Sequence, residues 1–123
     1  MTQPDYILLY VENPKASGRF YADLLEAQPV EATDTFVLFV LASGLKLGLW
    51  GRRTVEPVPT GMGGGAEVAF RLGSEPDVDA TFAEWTRRGL TILQTPVSLD
   101  FGRTFVALDP DGHRLRVFAP ASA

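Results

Sequence analysis

Residues 37–50 and 105–118 read as two versions of one hairpin. With Gly44 placed on Gly112, Leu47 meets Leu115, Lys46 meets Arg114 and Trp50 meets Phe118. Phe20 and Phe82 match within the helices that precede them. A repeat of this kind means that one supersecondary unit is used twice. The elements around each hairpin recur in the same order, so the chain predicts two modules of one strand, one helix and three strands.

In the first module, Asp5–Val11 is rich in β-branched and aromatic residues and reads as a strand. Asn13 and Pro14 supply a helix cap followed by proline at the first helical position. That helix is expected to run to about Glu26, with Phe20 and Leu24 on one face. Strands follow near Pro29–Ala32, Phe36–Leu41 and Leu45–Trp50, with a tight turn at residues 42–44. The second module repeats the plan: a strand over Ala66–Leu72, a helix over Pro76–Arg88, and strands at Thr91–Val97, Thr104–Leu108 and Arg114–Phe118. Val78, Phe82 and Trp85 form the apolar stripe of its helix. The modules span about 5–51 and 66–120, and residues 52–65, dense in proline and glycine, form a linker.

Composition sets outer bounds. At 123 residues the chain suits one domain with its own core, and 46% hydrophobic with 21% charged residues is globular. It has no cysteine, which removes disulfides, thiol catalysis and thiolate metal sites. The longest mostly apolar stretch, Thr35–Leu49, is interrupted by Ser43, Gly44 and Lys46, too short and broken to span a bilayer. The start of the chain lacks the pattern of a signal peptide, and a cytoplasmic protein is expected. The net charge of −4 gives no general attraction to nucleic acid. Arg87 and Arg88 close a helix, where cations suit the macrodipole. Gly61–Gly65 is glycine-rich but precedes a strand, so it reads as a hinge and not as a phosphate cradle.

Two stretches carry a resemblance. Residues 9–25, LYVENPKASGRFYADLL, and residues 102–118, GRTFVALDPDGHRLRVF, resemble the first strand and helix and the last hairpin of the vicinal oxygen chelate superfamily. That superfamily includes glyoxalases, extradiol dioxygenases, and the bleomycin and mitomycin resistance proteins. The resemblance implies an α+β fold of two βαβββ modules, a curved eight-stranded mixed sheet around a cleft, and a homodimer. It also implies where metal-dependent members carry ligands on four cleft strands. In this chain those positions hold Tyr6, Gly48, Glu67 and Arg116. A divalent cation needs several imidazole or oxygen donors, and this set cannot supply them. No metal and no other cofactor is expected. His113 is read as a residue of the Asp109–Gly112 turn, against the alternative of a general base or ligand.

Side chains alternate across a strand, so these four positions define a face. It carries Tyr6, Leu8 and Tyr10; Lys46, Gly48 and Trp50; Glu67, Ala69 and Arg71; and Arg114, Arg116 and Phe118. The other face is aliphatic, with Leu9, Leu47, Leu49, Val68, Leu115 and Val117 suited to packing under the helices. If the third and seventh strands keep the same parity, Phe39 and Phe105 join the cleft. The candidate ligand-binding residues are therefore Tyr6, Tyr10, Phe39, Gly48, Trp50, Glu67, Phe105, Arg116 and Phe118, with no catalytic residue assigned. Trp50 is a stacking platform, Gly48 leaves room, and Trp85 belongs to the helix core. Glu67 and Arg116 either contact a ligand or pair with each other.

The lining suits a flat aromatic or heteroaromatic small molecule, held without a metal, as in the antibiotic-binding members of the family. The alternatives are a glyoxalase-like or dioxygenase-type enzyme using Tyr6, Glu67 and His113 as acid–base groups, and an accessory module that senses a ligand or protein.

Overall fold

The computed structural model describes residues 2–61 and 63–121. In chain order the elements are β1 (Tyr6–Val11), α1 (Pro14–Leu25), β2 (Glu31–Ala32), β3 (Phe36–Val40), β4 (Lys46–Gly51), a 3-10 turn (Arg52–Thr54), β5 (Glu67–Arg71), α2 (Glu75–Arg87), β6 (Thr91–Leu99), β7 (Gly102–Leu108) and β8 (Arg114–Pro120). This is an α+β fold of two βαβββ modules. The eight strands form two four-stranded sheets, ordered β1-β4-β3-β2 and β5-β8-β7-β6. In each, the first strand runs parallel to the fourth and the remaining neighbours are antiparallel. A parallel neighbour needs a long crossover, and here the helix lies within it. The chain divides into two compact units between residues 62 and 63.

In the first unit, the Asn13 side chain accepts a hydrogen bond from the Ala16 N–H at 3.0 Å, and Pro14 opens α1. The helix ends at Glu26, whose φ of 51° is left-handed. Gly18 lets α1 approach the sheet: a β-carbon there would lie 3.2 Å from Val37 Cγ1. Tyr21, Val37, Phe39, Leu47 and Leu49 are buried in this layer. In the second unit, Ser74 caps α2 by accepting from the Asp77 N–H at 3.3 Å, and Glu75 and Asp77 complement the helix dipole. Arg87 and Arg88 both bond to Glu84 in the last turns, as surface groups. Trp85 packs edge-on against Phe70 at 5.5 Å and Phe105 at 5.4 Å, so it belongs to the helix-side core as its spacing predicts.

The duplicated hairpins correspond in detail. Gly44 and Gly112 both take positive φ, at 94° and 81°, which a side chain disfavours. Leu47 and Leu115 are both buried. The outer strands differ from expectation: β2 is only two residues long, while β6 extends to Leu99. Pro96 sits within β6, whose register is irregular on either side of Gln94; an edge strand tolerates both features.

The register corrects two expected cleft residues. Phe39 stands opposite Leu47, and Phe105 opposite Val117. Directly paired residues project to the same face, so both rings lie on the helix side, where they are fully buried. Phe105 also meets Phe82 of α2 at 5.5 Å. The even-numbered residues Phe36, Leu38 and Val40 of β3, and Thr104, Val106 and Leu108 of β7, lie on the face away from the helices instead, where Thr104 and Val106 are also buried.

Candidate functional site

The open face of the first sheet is three rows of side chains. Tyr6, Lys46 and Val40 form one, Leu8, Gly48 and Leu38 the next, and Tyr10, Trp50 and Phe36 the third. Tyr6, Leu8 and Tyr10 are 49%, 45% and 37% exposed, a large apolar surface for one strand. The Tyr10 and Trp50 rings meet at 6.3 Å with their planes 75° apart. Trp50 is half-buried between Tyr10 on β1 and Phe36 on β3. Lys46 lies 5.3 Å from the Tyr6 ring centroid and 3.2 Å from Asp5, which satisfies the one cation of this face.

The room expected above Gly48 is already filled. A β-carbon there would lie 2.7 Å from Leu8 Cδ2 and 2.8 Å from Phe36 Cζ. The glycine makes way for its two neighbours, and it is itself buried. What this face of the sheet presents is therefore the aromatic row and not a hole at position 48. On the opposite, helix side of the sheet, a cavity of about 230 Å³ is lined by Lys15, Gly18, Arg19, Ala22, Pro29 and Val37 among others. Its lining holds no aromatic ring, so it offers no stacking surface.

The face of the second sheet turned away from α2 carries a polar cluster, and its β7 residues Thr104 and Val106 are buried. Its rows are Glu67, Arg114 and Leu108; Ala69, Arg116 and Val106; and Arg71, Phe118 and Thr104. Arg116 donates to both carboxylate oxygens of Glu67, from Nε at 2.6 Å and from Nη2 at 2.9 Å. Its Nη1 donates to Thr104 Oγ1 at 3.1 Å, and that hydroxyl donates to the Val117 carbonyl at 2.9 Å. The Arg116 hydrogen bonds hold the Glu67 carboxyl below its ordinary range, with Arg114 adding a smaller attraction. The same bonds raise the guanidinium pKa. Phe118 meets Phe101 edge-on at 5.9 Å.

The structure thus brings Tyr10 to Trp50 and Glu67 to Arg116, with Tyr6 and Phe118 on the same faces. Phe36, Leu38 and Thr104 complete these faces, and the sequence reading missed them. Each tight turn offered a signal. Counting outward from Ser43 places Phe36 across from Trp50, and counting outward from the 109–113 turn places Thr104 across from Phe118.

A divalent metal does not fit. Both Glu67 oxygens are engaged by a cation, Gly48 has no donor, and Arg116 would repel a metal ion. Among the described residues, no three His, Cys, Asp or Glu side chains are grouped closely enough to hold one. His113 belongs to the β7–β8 turn: its backbone N–H and that of Asp111 donate to the Asp109 carboxylate at 2.8 and 2.9 Å. Gly63 passes so close to this turn that a β-carbon would lie 2.6 Å from the His113 nitrogen. Met62, in the middle of the expected hinge, lies outside the described residues. No helix among the described residues is long and apolar enough to cross a membrane.

The chain as a whole is similar to known proteins. The family model "Glyoxalase/Bleomycin resistance protein/Dioxygenase superfamily" matches residues 3–117. The phenazine antibiotic resistance protein EhpR of Enterobacter agglomerans is 33% identical over 119 residues, covering 93% of this chain and 89% of its own. The solution structure of protein ATC0852 from Agrobacterium tumefaciens is 56% identical with a TM-score of 0.91, covering 99% of this chain and all of that one. A glyoxalase-related enzyme from Fulvimarina pelagi shares the fold at 21% identity, with a TM-score of 0.83 over 100% of this chain and 94% of that one.

Proposed function

The chain belongs to the glyoxalase/bleomycin resistance protein/dioxygenase superfamily, and from that premise we propose that it is a metal-independent binding protein for a flat aromatic or heteroaromatic compound such as an antibiotic. One observation carries the reading. Tyr10, Trp50 and Phe36 line up across three adjacent strands on an open sheet face, a ready platform for a planar ring. Protection would be stoichiometric, by sequestration, with no bond made or broken. The likeness to a phenazine resistance protein supports this choice of ligand class.

The enzyme alternative finds less support. Glu67 is held ionised by Arg116, so it is a weak base and a poor proton donor at neutral pH. The same reading takes the protein as a cytoplasmic homodimer that holds no stoichiometric metal, does not bind nucleic acid and does not associate with membranes.

The test is a screen of planar chromophoric compounds, phenazines first, by quenching of tryptophan emission. Trp50→Ala is expected to weaken the best binder about tenfold or more, because lost burial adds to lost stacking. Trp85→Phe is expected to leave affinity nearly unchanged. Equal affinity in wild type and Trp50→Ala would sink the proposal, as would one zinc, manganese or iron per chain in the purified protein.

A further inference from the structure

The first sheet leaves a gap on its helix side, between α1 and the edge strand β2. Gly18 brings the helix down onto Val37, but Ala22, one turn further on, and Ala32, the last residue of β2, end at a single methyl. The resulting cavity of about 230 Å³ is apolar along these residues, and Lys15, Arg19 and Gln28 complete its lining. A cavity of about 150 Å³ admits benzene, so this one has room for an aliphatic body of roughly five or six carbons. The two cations are not explained by the fold. Lys15 lies in the first turn of α1, where the helix dipole disfavours a positive charge. Its ion pair with Asp34, at 3.2 Å, joins side chains 53% and 90% exposed, so it holds the ammonium weakly. Arg19, one turn on, has no ion-pair partner among the described residues. The duplicated module supplies a comparison. With Phe20 placed on Phe82, Pro14 meets Pro76, but Lys15 falls on Asp77, Arg19 on Thr81 and Ala22 on Glu84. The same architecture is thus built in α2 with acidic residues at two of these positions, and it does not require the basic stripe of α1.

We propose that this cavity is a second ligand site, one that takes a short aliphatic carboxylate. The hydrocarbon body fills the gap left by Ala22 and Ala32 against Val37, where each buried methylene strengthens binding by up to about fourfold. The carboxylate stays at the mouth, where the Lys15 ammonium and the Arg19 guanidinium, four residues apart on one helix face, supply charge-assisted hydrogen bonds. Gln28 adds a neutral amide that can donate to the same group. The site lies on the opposite side of the sheet from the Tyr10, Trp50 and Phe36 row, and it is independent of that platform.

The experiment titrates methyl-labelled protein with hexanoate, hexanol and acetate by NMR, near pH 7 and at constant ionic strength. It uses wild type, Arg19→Gln and Ala32→Leu, each checked for native circular dichroism. Hexanoate is expected to move the Ala22, Ala32 and Val37 methyls together, with a Kd in the millimolar range that suits so few atoms. Hexanol and acetate are each expected to bind at least about tenfold more weakly, since one lacks the charge and the other the hydrocarbon. Arg19→Gln is expected to weaken hexanoate by about threefold or more and to leave hexanol unchanged. Ala32→Leu, whose longer side chain enters the gap, is expected to abolish binding of both. Absence of shifts at these methyls, hexanol binding as tightly as hexanoate, or hexanoate affinity unchanged in either variant overturns the site.

Discussion

Arg116 stands opposite Ala69 in the β5–β8 ladder, yet its guanidinium reaches back along the strand to grip both oxygens of Glu67. The contact holds the Glu67 carboxyl below its ordinary value of 4.5. A carboxyl depressed in the folded state adds stability that is fully present above its unfolded pKa and fades as pH falls through the folded one. Because both partners are partly exposed, the pair contributes at most about 1 kcal/mol. Glu67→Gln is therefore expected to cost up to that amount near neutral pH and progressively less below about pH 4.5. Urea unfolding of both proteins across this range gives the comparison, and parallel pH profiles would contradict it.

Gly48 is covered by the ends of Leu8 and Phe36. In Gly48→Ala those tips must swing away, and the loss is expected near the low end for overpacking, about 1 kcal/mol. Methyl and aromatic NMR shifts of Leu8 and Phe36 should move together. Unmoved shifts would mean that the pocket above Gly48 is open after all.

Asp109 is 5% exposed, and its carboxylate accepts from two backbone N–H groups of the β7–β8 turn. Asp109→Ala leaves both donors short of a partner and is expected to cost about 1–3 kcal/mol. Asp109→Asn, which keeps an acceptor, should recover much of this in the same denaturant series. Equal losses in the two variants would shift the explanation away from the turn.

Glu26 holds φ at 51° at the end of α1. Glycine adopts that conformation without the β-carbon penalty, so Glu26→Gly is expected to hold or raise stability by up to about 1 kcal/mol. Glu26→Val, branched at the β-carbon, should lower it. Thermal melts that rank valine above glycine would refute the strain.

Tyr6, Leu8 and Tyr10 expose an apolar stretch of β1, a feature that marks ligand or protein contact surfaces. The homodimer reading expects light scattering at tens of micromolar to return twice the 13.4 kDa chain mass. It also expects Leu8→Glu to shift that mass toward one chain. A monomer in wild type removes the dimer from the proposal.

What the sequence determined by itself is local or repeated. Period-two alternation separates Tyr6, Tyr10, Trp50 and Arg116 from Leu47, Leu115 and Val117 without knowledge of any neighbour, because each strand's pleat assigns its own faces. Asn13, Pro14, Ser74 and the two turn glycines mark their boundaries by backbone chemistry that acts within a few residues. The duplication supplies the order of elements. Alternation within β3 or β7 does not say which of its sides faces the helices, since parity passes between strands through the register that each turn sets. Pairing Phe39 with Leu47 and Phe105 with Val117 sends both rings under the helices. The sequence likewise allows Glu67 and Arg116 either to meet a ligand separately or to meet each other. They are 49 residues apart in the chain, and only the parallel β5–β8 ladder brings guanidinium and carboxylate within hydrogen-bonding distance.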